Sequence, residues 1–201
     1  MINLTKNSRI SLEKNGSQLK EISIGLDWGS IQHSYLFGLL KDSTAVDLDG
    51  SVSLFAGDKQ EIETVYFHNL KSRDGAIKHS GDDRVGDNSA DNKDNEIIYI
   101  NLEQINPKVT SIFIYLNSYK QQDFASIPYA KIKIVEGKNH NPQQTFATYN
   151  IASDETYSGY VSMLMGKIEK LNNNWTFTAL GDPIKAKNIK ETVMLIQDRY
   201  M

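Results

Sequence analysis

The sequence predicts an all-β protein, an antiparallel β-sandwich with one short α-helix at its C-terminal end. Most apolar segments of the 201-residue chain alternate with polar residues at every second position, which is the period of a strand with one buried face. These segments are short, and Gly, Asn, Asp and Ser separate them. No long helical pattern lies between them, which argues against a parallel sheet.

The predicted strands follow one another along nearly the whole chain. The cleanest alternation lies at residues 130–135, and the most apolar segment is 111–116. Trp28 and Trp175 are predicted to lie in the core. From the N-terminus, the predicted strands cover residues 8–12, 22–26, 35–40, 52–55, 64–67, 96–102, 111–116, 130–135, 145–151, 160–168 and 175–180.

The C-terminal segment changes period. Residues 187–201 carry apolar side chains at i, i+4, i+7 and i+11, which predicts one face of a helix. We therefore predict a β-sandwich domain at residues 1–181 and a helical extension at residues 182–201 that packs on it. The residues of that face are Ile189, Val193, Ile196 and Tyr200.

Composition excludes several classes of function. The chain has no Cys, so disulfides, thiolate metal sites and a Cys nucleophile are excluded. Its four His do not fall in a zinc-binding spacing. A net charge of −3 gives no sign of nucleic-acid binding. The N-terminus has no apolar signal region and no apolar run approaches the roughly 18 residues of a membrane span, so we expect a cytoplasmic protein.

The near-neutral total hides an acidic segment. Residues 41–96 hold thirteen acids and seven bases, a net charge of −6, and the rest of the chain is therefore +3. Residues 81–96 alone hold six acids, two bases and only two apolar residues. Such a stretch cannot order itself by burying apolar surface. It is either a flexible loop or a loop ordered by something that satisfies carboxylates.

The acids favour a hard-cation site. Asp47 and Asp49 lie two residues apart in a predicted strand, so they share a face and repel each other unless a cation or solvent satisfies them. Asp82 and Asp83 offer further oxygens in a loop. Ca²⁺ takes 6–8 oxygen ligands, often from flexible loops. No EF-hand is present, because Val52 stands where its loop needs Gly. Such a site would have to combine loops that are distant in sequence.

An ordered series of motifs resembles one family, the TerD family of bacterial tellurite-resistance and stress-response proteins. The resemblance covers about residues 2–181, and the series is more specific than any single motif. The chain departs from the pattern at Asp27, where the family usually has Gly. The matching segments are Ile2–Leu12, Ile24–Trp28 (IGLDW), Val46–Asp49 (VDLD), Val65–Asn69 (VYFHN), Asp74–Asp83 (DGAIKHSGDD), Lys93–Ile97 (KDNEI) and Asn174–Gly181 (NWTFTALG).

The resemblance implies a C2-like sandwich that binds two Ca²⁺ ions in an acidic loop cluster. It also implies a role in tellurite resistance and stress tolerance, and assembly with other tellurite-operon proteins at the inner membrane. His68 and His79 are predicted to be ordinary polar residues. Together with the acid pattern, the resemblance predicts the ligands Asp47, Asp49, Asn69, Asp82, Asp83, Asp94 and Glu96, whereas Asp87 and Asp91 are predicted to be solvated loop acids.

Three function classes stay open at this point. The first is a non-enzymatic Ca²⁺-binding stress protein that presents a rigid surface to a partner once the ion orders residues 81–96. The second is a hydrolase that uses paired carboxylates or a metal-bound water, but no nucleophile motif is present and the acids sit in a polar loop. The third is a C2-like module that docks on a membrane surface, for which the sequence shows no exposed apolar residues at the loop tips.

Overall fold

The computed structural model describes residues 1–35, 40–88 and 93–201. In this part of the chain the fold consists of 16 strands, one α-helix, α1, at Ile189–Arg199, and two short 3-10 helices at Pro142–Gln144 and Glu155–Tyr157. The first eight strands are β1 (Ile2–Asn3), β2 (Arg9–Ser11), β3 (Glu13–Lys14), β4 (Ser17–Gln18), β5 (Glu21–Trp28), β6 (Ile31–Tyr35), β7 (Leu40–Thr44) and β8 (Leu48–Ala56). The other eight are β9 (Glu61–Val65), β10 (Ile77–His79), β11 (Glu96–Asn101), β12 (Val109–Ser118), β13 (Tyr129–Glu136), β14 (Thr145–Ala152), β15 (Ser162–Leu171) and β16 (Asn174–Ile184).

Two six-stranded sheets dominate the architecture. The first sheet has the order β1-β14-β13-β5-β11-β10, and the second has the order β2-β16-β15-β12-β8-β9. Two small hairpins, β3–β4 and β6–β7, complete the described strands. Among these, β1 and β14 pair in parallel and the other pairs are antiparallel. The predicted antiparallel β-sandwich is confirmed. Residues 36–39 of the predicted strand 35–40, and predicted acid Asp91, lie outside the described residues.

The main core lies between the two sheets. Ile24 and Leu26 of β5 and Val52 and Leu54 of β8 are fully buried in it, because alternate residues of each strand face the other sheet. Each fully buried side chain of this size contributes about 1.5–3 kcal/mol to folding. Trp28 and Trp175 are also buried, at 0% and 4% exposure, as the sequence predicts.

Helix α1 covers part of the outer face of the second sheet. Val193 and Ile196 pack there with Phe55 and Phe113 in a second hydrophobic cluster. The Asn188 side chain caps the helix by accepting from the Glu191 amide. The predicted C-terminal helix is confirmed, and the predicted domain boundary at residue 181 falls inside β16, which continues to Ile184.

The 11 residues of α1 are too few to span a bilayer. No helix in the described residues is long and apolar enough to cross a membrane.

Candidate metal centre

Strand β8 presents two carboxylates on the outer face of the second sheet. Leu48 and Val52 of this strand enter the core between the sheets. Asp49 lies between them in sequence, and Asp47 immediately precedes the strand, so both acids point away from that core. In the neighbouring strand β12, Asn117 stands opposite Asp49. The predicted common face of Asp47 and Asp49 is thus a consequence of strand alternation.

A second segment brings Asp82 to the same place. The Val46 amide donates to the Val85 carbonyl at 2.9 Å, which joins the start of β8 to the loop after β10. The Trp28 indole N–H donates to the Val46 carbonyl at 3.0 Å in a buried hydrogen bond that holds this junction in place. Gly86 has φ of +69°, and a Cβ there would lie 2.8 Å from the Trp28 ring, so the close approach requires glycine.

Asp47, Asp49 and Asp82 form what we call the acid trio. Each offers a carboxylate oxygen, and these oxygens all lie within 4.8 Å of one another. The trio borders a cavity of about 140 Å³ whose other walls are Phe67, His68, Arg84 and Tyr119. Three carboxylate oxygens at this spacing match the donor set of a hard divalent cation, and the site offers no sulfur ligand.

Asp49 is the member of the trio whose carboxylate has the fewest partners. It is only 6% exposed, and no side chain or backbone group of the described residues donates a hydrogen bond to its carboxylate. Burial raises the pKa of Asp49 to about 7, with further increases from the nearby charges of Glu96, Asp47 and Asp82. Burial likewise raises the pKa of Asp47. A buried carboxylate with no donor can relieve the cost of its charge either by taking up a proton or by binding a cation.

Glu96 lies behind the trio and holds its two parts together. Its carboxylate is fully buried and accepts from the Gly50 amide at 2.8 Å and from the Asp83 amide at 3.3 Å. It therefore links β8 to the loop that carries Asp82. Burial raises the pKa of Glu96, and its hydrogen bonds offset this only in part.

His79 is a second buried residue that joins these two segments. The Gly81 amide donates to His79 Nδ1 at 3.0 Å, which leaves Nε2 as the protonated nitrogen of the neutral ring. That Nε2 lies 3.1 Å from the Gly50 carbonyl and 3.3 Å from a Glu96 oxygen. His79 is thus buried and structural. The sequence predicts it only as an ordinary polar residue and gives no sign of this role.

Asp83 and Asn69 have local bonding roles. Asp83 Oδ1 accepts from the amides of Val85 and Gly86 and so shapes the loop. The Asn69 side-chain amide donates to the Thr64 carbonyl, and its backbone closes a turn with Tyr66. Asn69 does not line the cavity bordered by the acid trio.

Asp94 lies on the outer face of the first sheet, away from the trio. It forms ion pairs with Lys133, at 2.8 Å, and with His140. Burial alone would raise the pKa of Asp94, but the hydrogen bonds from His140 and Lys133 outweigh it and hold that pKa below its usual range. A Cβ at Gly25 would come within 2.3 Å of an Asp94 oxygen, so the carboxylate lies flat on the sheet only because residue 25 is glycine.

Asp27 joins this arrangement through Lys131, at 3.3 Å, and Lys133, at 3.9 Å. Burial raises the pKa of Asp27, against the lowering effect of the two lysines. We call this group, formed by Asp27, Asp94, Lys131, Lys133 and His140, the paired cluster. Of the seven predicted ligands, the structure therefore joins three in the trio, places Glu96 and Asp83 behind it, and puts Asn69 and Asp94 elsewhere.

Sequence reasoning missed two cations beside the trio. Lys120 Nζ lies 3.7 Å from Asp47 Oδ2, and Arg84 Nε lies 2.8 Å from Asp82 Oδ2. Arg84 is within the acidic segment, so its proximity to Asp82 could be suspected from spacing alone. Lys120 comes from the end of β12 and is brought in by the Tyr119 amide, which donates to the Asp47 carbonyl at 2.9 Å.

Comparison with known proteins places this chain in a family. The family model for the TerD domain matches residues 1–193. The chain belongs to the TerD family. The match includes the strands and loops that carry the acid trio and reaches into helix α1, so in this TerD-family chain the sandwich and the start of the helix both lie within the matched region.

Several relatives span almost the whole of this TerD-family chain. The tellurium resistance protein TerZ of Serratia marcescens is 29% identical over 95% of the chain and 94% of its own length. The stress response protein SCP2 of Bacillus subtilis is 29% identical over 96% of the chain and 97% of its own. The crystal structure of a TerD homologue from Streptomyces coelicolor has the same fold, with a TM-score of 0.62 and 16% identity over 89% of this chain and 95% of that one.

Proposed function

We propose that this chain is a non-enzymatic Ca²⁺-binding protein of the stress response, with one ion held by Asp47, Asp49 and Asp82. The observation that carries the proposal is Asp49, a residue with only 6% of its surface exposed, whose carboxylate faces two other carboxylates and receives no hydrogen bond from the described residues. Burying an unpaired charge is costly, and a bound divalent cation removes that cost.

The ligand chemistry favours Ca²⁺ over Mg²⁺. Asp82 comes from a loop, Asp47 from the residue just before β8 and Asp49 from β8 itself, so the three oxygens are not fixed on one rigid frame. Ca²⁺ accepts such irregular oxygen sets and completes them with water, whereas Mg²⁺ requires a near-ideal octahedron. The second ion that the resemblance predicts stays a prediction, since the described residues bring together one trio of this kind.

Ion binding would act by ordering the residues of the site. The ion would neutralise the trio and hold the loop of Asp82 against β8, while Glu96 and His79 keep both parts in place from the core side. Mass action would then stabilise the folded state. We propose that the ordered surface serves protein assembly in the cytoplasm during stress, with other tellurite-resistance proteins as partners, in keeping with the names of TerZ and SCP2.

One observation bears on the hydrolase alternative. The sequence suggests that the acids sit in a polar loop, yet burial raises the pKa of Asp49 to about 7, a feature that acid–base sites share with metal sites. The cavity beside the trio has a volume of only about 140 Å³. Substrate pockets usually have about 300–1,000 Å³. The cavity is therefore suited to an ion and its water better than to an organic substrate.

Isothermal calorimetry with CaCl₂ and with MgCl₂ tests the proposal. We expect saturable Ca²⁺ binding that is much tighter than Mg²⁺ binding, and its loss in Asp82→Ala and in Asp49→Asn. Asp198→Asn is the matched control, because Asp198 is an acid on the exposed face of α1 whose side chain is 75% exposed. The absence of a Ca²⁺ signal in the wild-type protein, or an unchanged signal in Asp49→Asn, would contradict the proposal.

A further inference from the structure

Asn117 is a buried amide beside the acid trio whose oxygen has no hydrogen-bond partner among the described residues. The residue is only 4% exposed, and its Oδ1 is shielded from solvent. Buried polar side-chain atoms nearly always have a partner, so an unpaired oxygen at this position points to an ion or a water molecule.

The hydrogen bonds of the neighbouring hydroxyls fix which way this amide points. Asn117 Nδ2 donates to Ser162 Oγ at 2.6 Å and to Thr192 Oγ1 at 3.0 Å. Ser162 Oγ in turn donates its only hydrogen to the Ala186 carbonyl at 2.7 Å. Thr192 Oγ1 donates its own hydrogen to the Asn188 carbonyl at 3.0 Å. Neither hydroxyl can therefore donate to Asn117, so the amide nitrogen faces them and the oxygen faces away from them.

The side of Asn117 that faces away from Ser162 is the side of Asp49. Strand β12 lies between β15 and β8, and Asn117 pairs with Ser162 on one side and with Asp49 on the other. The adjacent Leu116 enters the core between the sheets, so Asn117 and Asp49 share the outer face. Residues paired in this way have Cβ atoms about 4.5–5.5 Å apart. Because neither an amide oxygen nor a carboxylate can donate a hydrogen bond, a cation between them would satisfy both.

We propose that Asn117 Oδ1 is a further ligand of the ion at the acid trio, and that its amide nitrogen couples ion binding to the docking of helix α1. This inference rests on the proposed Ca²⁺ site and adds to it a neutral ligand and an element that responds to the ion. Ca²⁺ takes about 6–8 oxygen ligands and accepts side-chain amide oxygens, so three carboxylates leave room for such a group.

Helix α1 is held to this site through Thr192, which is fully buried near the start of the helix. An ion that fixes the Asn117 oxygen also fixes its nitrogen, and it polarises the amide so that Nδ2 donates more strongly to Thr192. The loop after β12 adds a second link, since Gln121 Nε2 donates to the Lys187 carbonyl, just before the helix, at 3.2 Å. Ion loading should therefore hold the helix more firmly, and the docked helix should in turn tighten ion binding, because coupling between two sites is reciprocal.

Calorimetry with CaCl₂ tests the ligand. Asn117→Leu keeps a side chain of similar size without the oxygen, and its Ca²⁺ affinity should fall about tenfold. Thr192→Val removes one of the two acceptors that orient the amide, so the affinity should fall a few-fold, and Thr192→Ser, which keeps the hydroxyl, should restore it. The matched control is Thr176→Val, because Thr176 is a buried threonine of β16 that pairs with Glu169, toward the opposite end of β15 from Ser162.

Hydrogen exchange followed by mass spectrometry tests the coupling. In the wild-type protein, saturating Ca²⁺ should slow exchange of the α1 amides at least about fivefold relative to EDTA. In Thr192→Val, saturated according to its own titration, this slowing should largely disappear, whereas in Thr176→Val it should persist. Because each variant is compared with itself in EDTA, a general loss of stability does not imitate the result.

The outcomes separate this inference from the proposed function. If Asn117→Leu binds Ca²⁺ within about twofold of the wild-type protein, the oxygen binds only water, and the inference is overturned while the trio stays the ion site. If Asn117→Leu does not fold, an unchanged affinity in Thr192→Val overturns it instead. Equal protection of α1 by Ca²⁺ in Thr192→Val and in the wild-type protein overturns the coupling. No calorimetric signal for Ca²⁺ in the wild-type protein would overturn both proposals.

Discussion

The acid trio and the paired cluster differ in the partners that their buried carboxylates have. In the paired cluster, Lys133 and His140 satisfy Asp94 and hold its pKa below the usual range. In the trio, Asp49 receives no such donor from the described residues and burial raises its pKa to about 7. In the paired cluster each carboxylate has an ion-pair partner, whereas Asp49 has none among the described residues. Carboxyl burial alone therefore does not indicate a metal site, and the lack of a donor at Asp49 is the feature that supports the site we propose.

Breaking the paired cluster should give the largest effect. Asp94→Ala leaves Lys133, whose side chain is 10% exposed, without its closest carboxylate, and removing one partner of a buried pair typically costs about 3–5 kcal/mol. We expect the free energy of unfolding in urea to fall by this amount. Asp198→Ala, at an exposed acid, should change it little. A loss of less than about 1 kcal/mol in Asp94→Ala would show that the cluster is not a stabilising unit.

Calcium should stabilise the protein through the trio and not through the paired cluster. At a free Ca²⁺ concentration of 100 times Kd, the gain is about 2.7 kcal/mol. Thermal unfolding should show this gain in the wild-type protein and in Asp94→Asn, and no gain in Asp82→Ala. If Asp94→Asn lost the gain as well, Asp94 would be a ligand after all, and the separation of the two clusters would be wrong.

The pH dependence should differ in sign between Asp49 of the trio and Asp94 of the paired cluster. Because the folded pKa of Asp49 is about 7 and its reference value is 3.8, the folded state binds a proton more readily than the unfolded chain. The ion-free protein should therefore lose stability as pH rises from about 4 to about 7. Asp94 has a lowered pKa, so its contribution is fully present above pH 3.8 and is lost as pH falls through the folded pKa.

Asp49→Asn tests this sign directly. Without Ca²⁺ at pH 8 the variant should be more stable than the wild-type protein by about 2 kcal/mol, because it removes an unpaired buried charge. Its free energy of unfolding should also vary less between pH 4 and pH 7. Urea titrations at pH 4, 6 and 8 measure both effects. A variant less stable than the wild-type protein at pH 8 would mean that Asp49 has a partner in the folded state.

The smallest effect is expected at Asn69. Its side chain bonds the Thr64 carbonyl in a surface turn and does not line the cavity of the trio. Asn69→Ala should therefore change the Ca²⁺ affinity by no more than about twofold, as for a surface substitution away from a site. Calorimetry measures this change. A tenfold loss of affinity would restore Asn69 to the ligand set that the family resemblance predicts.

Strand alternation explains which parts of the site could be predicted. Asp49 lies in β8 and Asp47 one residue before it, and the alternation of β8 continues to Asp47, so the two acids share a face. The same period applied to Asp94 and Glu96 places them together, but β11 begins only at Glu96. Before it, Asn95 turns to accept the Trp28 amide at 2.7 Å, and Asp94 lies on the opposite side of the sheet. The alternation therefore continues before β8 at Asp47 but not before β11 at Asp94, and the sequence does not mark this difference.

The partners of the buried acids could not be predicted, because they come from distant segments. Lys133 belongs to β13 and His140 to the connection that follows it, and both reach Asp94 only after β13 pairs with β5. Lys120 reaches Asp47 in the same way, through the pairing of β12 with β8. The all-β class depends on local periodicity, whereas charge compensation depends on the order of strands in each sheet.

The placement of two carboxylates on the outer face of β8 also has a consequence for folding. Sliding this strand by one residue against β12 would turn Asp47 and Asp49 into the space between the sheets and expel Leu48 and Val52. Burying two unpaired charges there is far costlier than losing a few contacts. The acid pair therefore penalises a mispaired sheet whether or not an ion binds, and the residues that we propose as ion ligands also help to select the correct strand alignment while the chain folds.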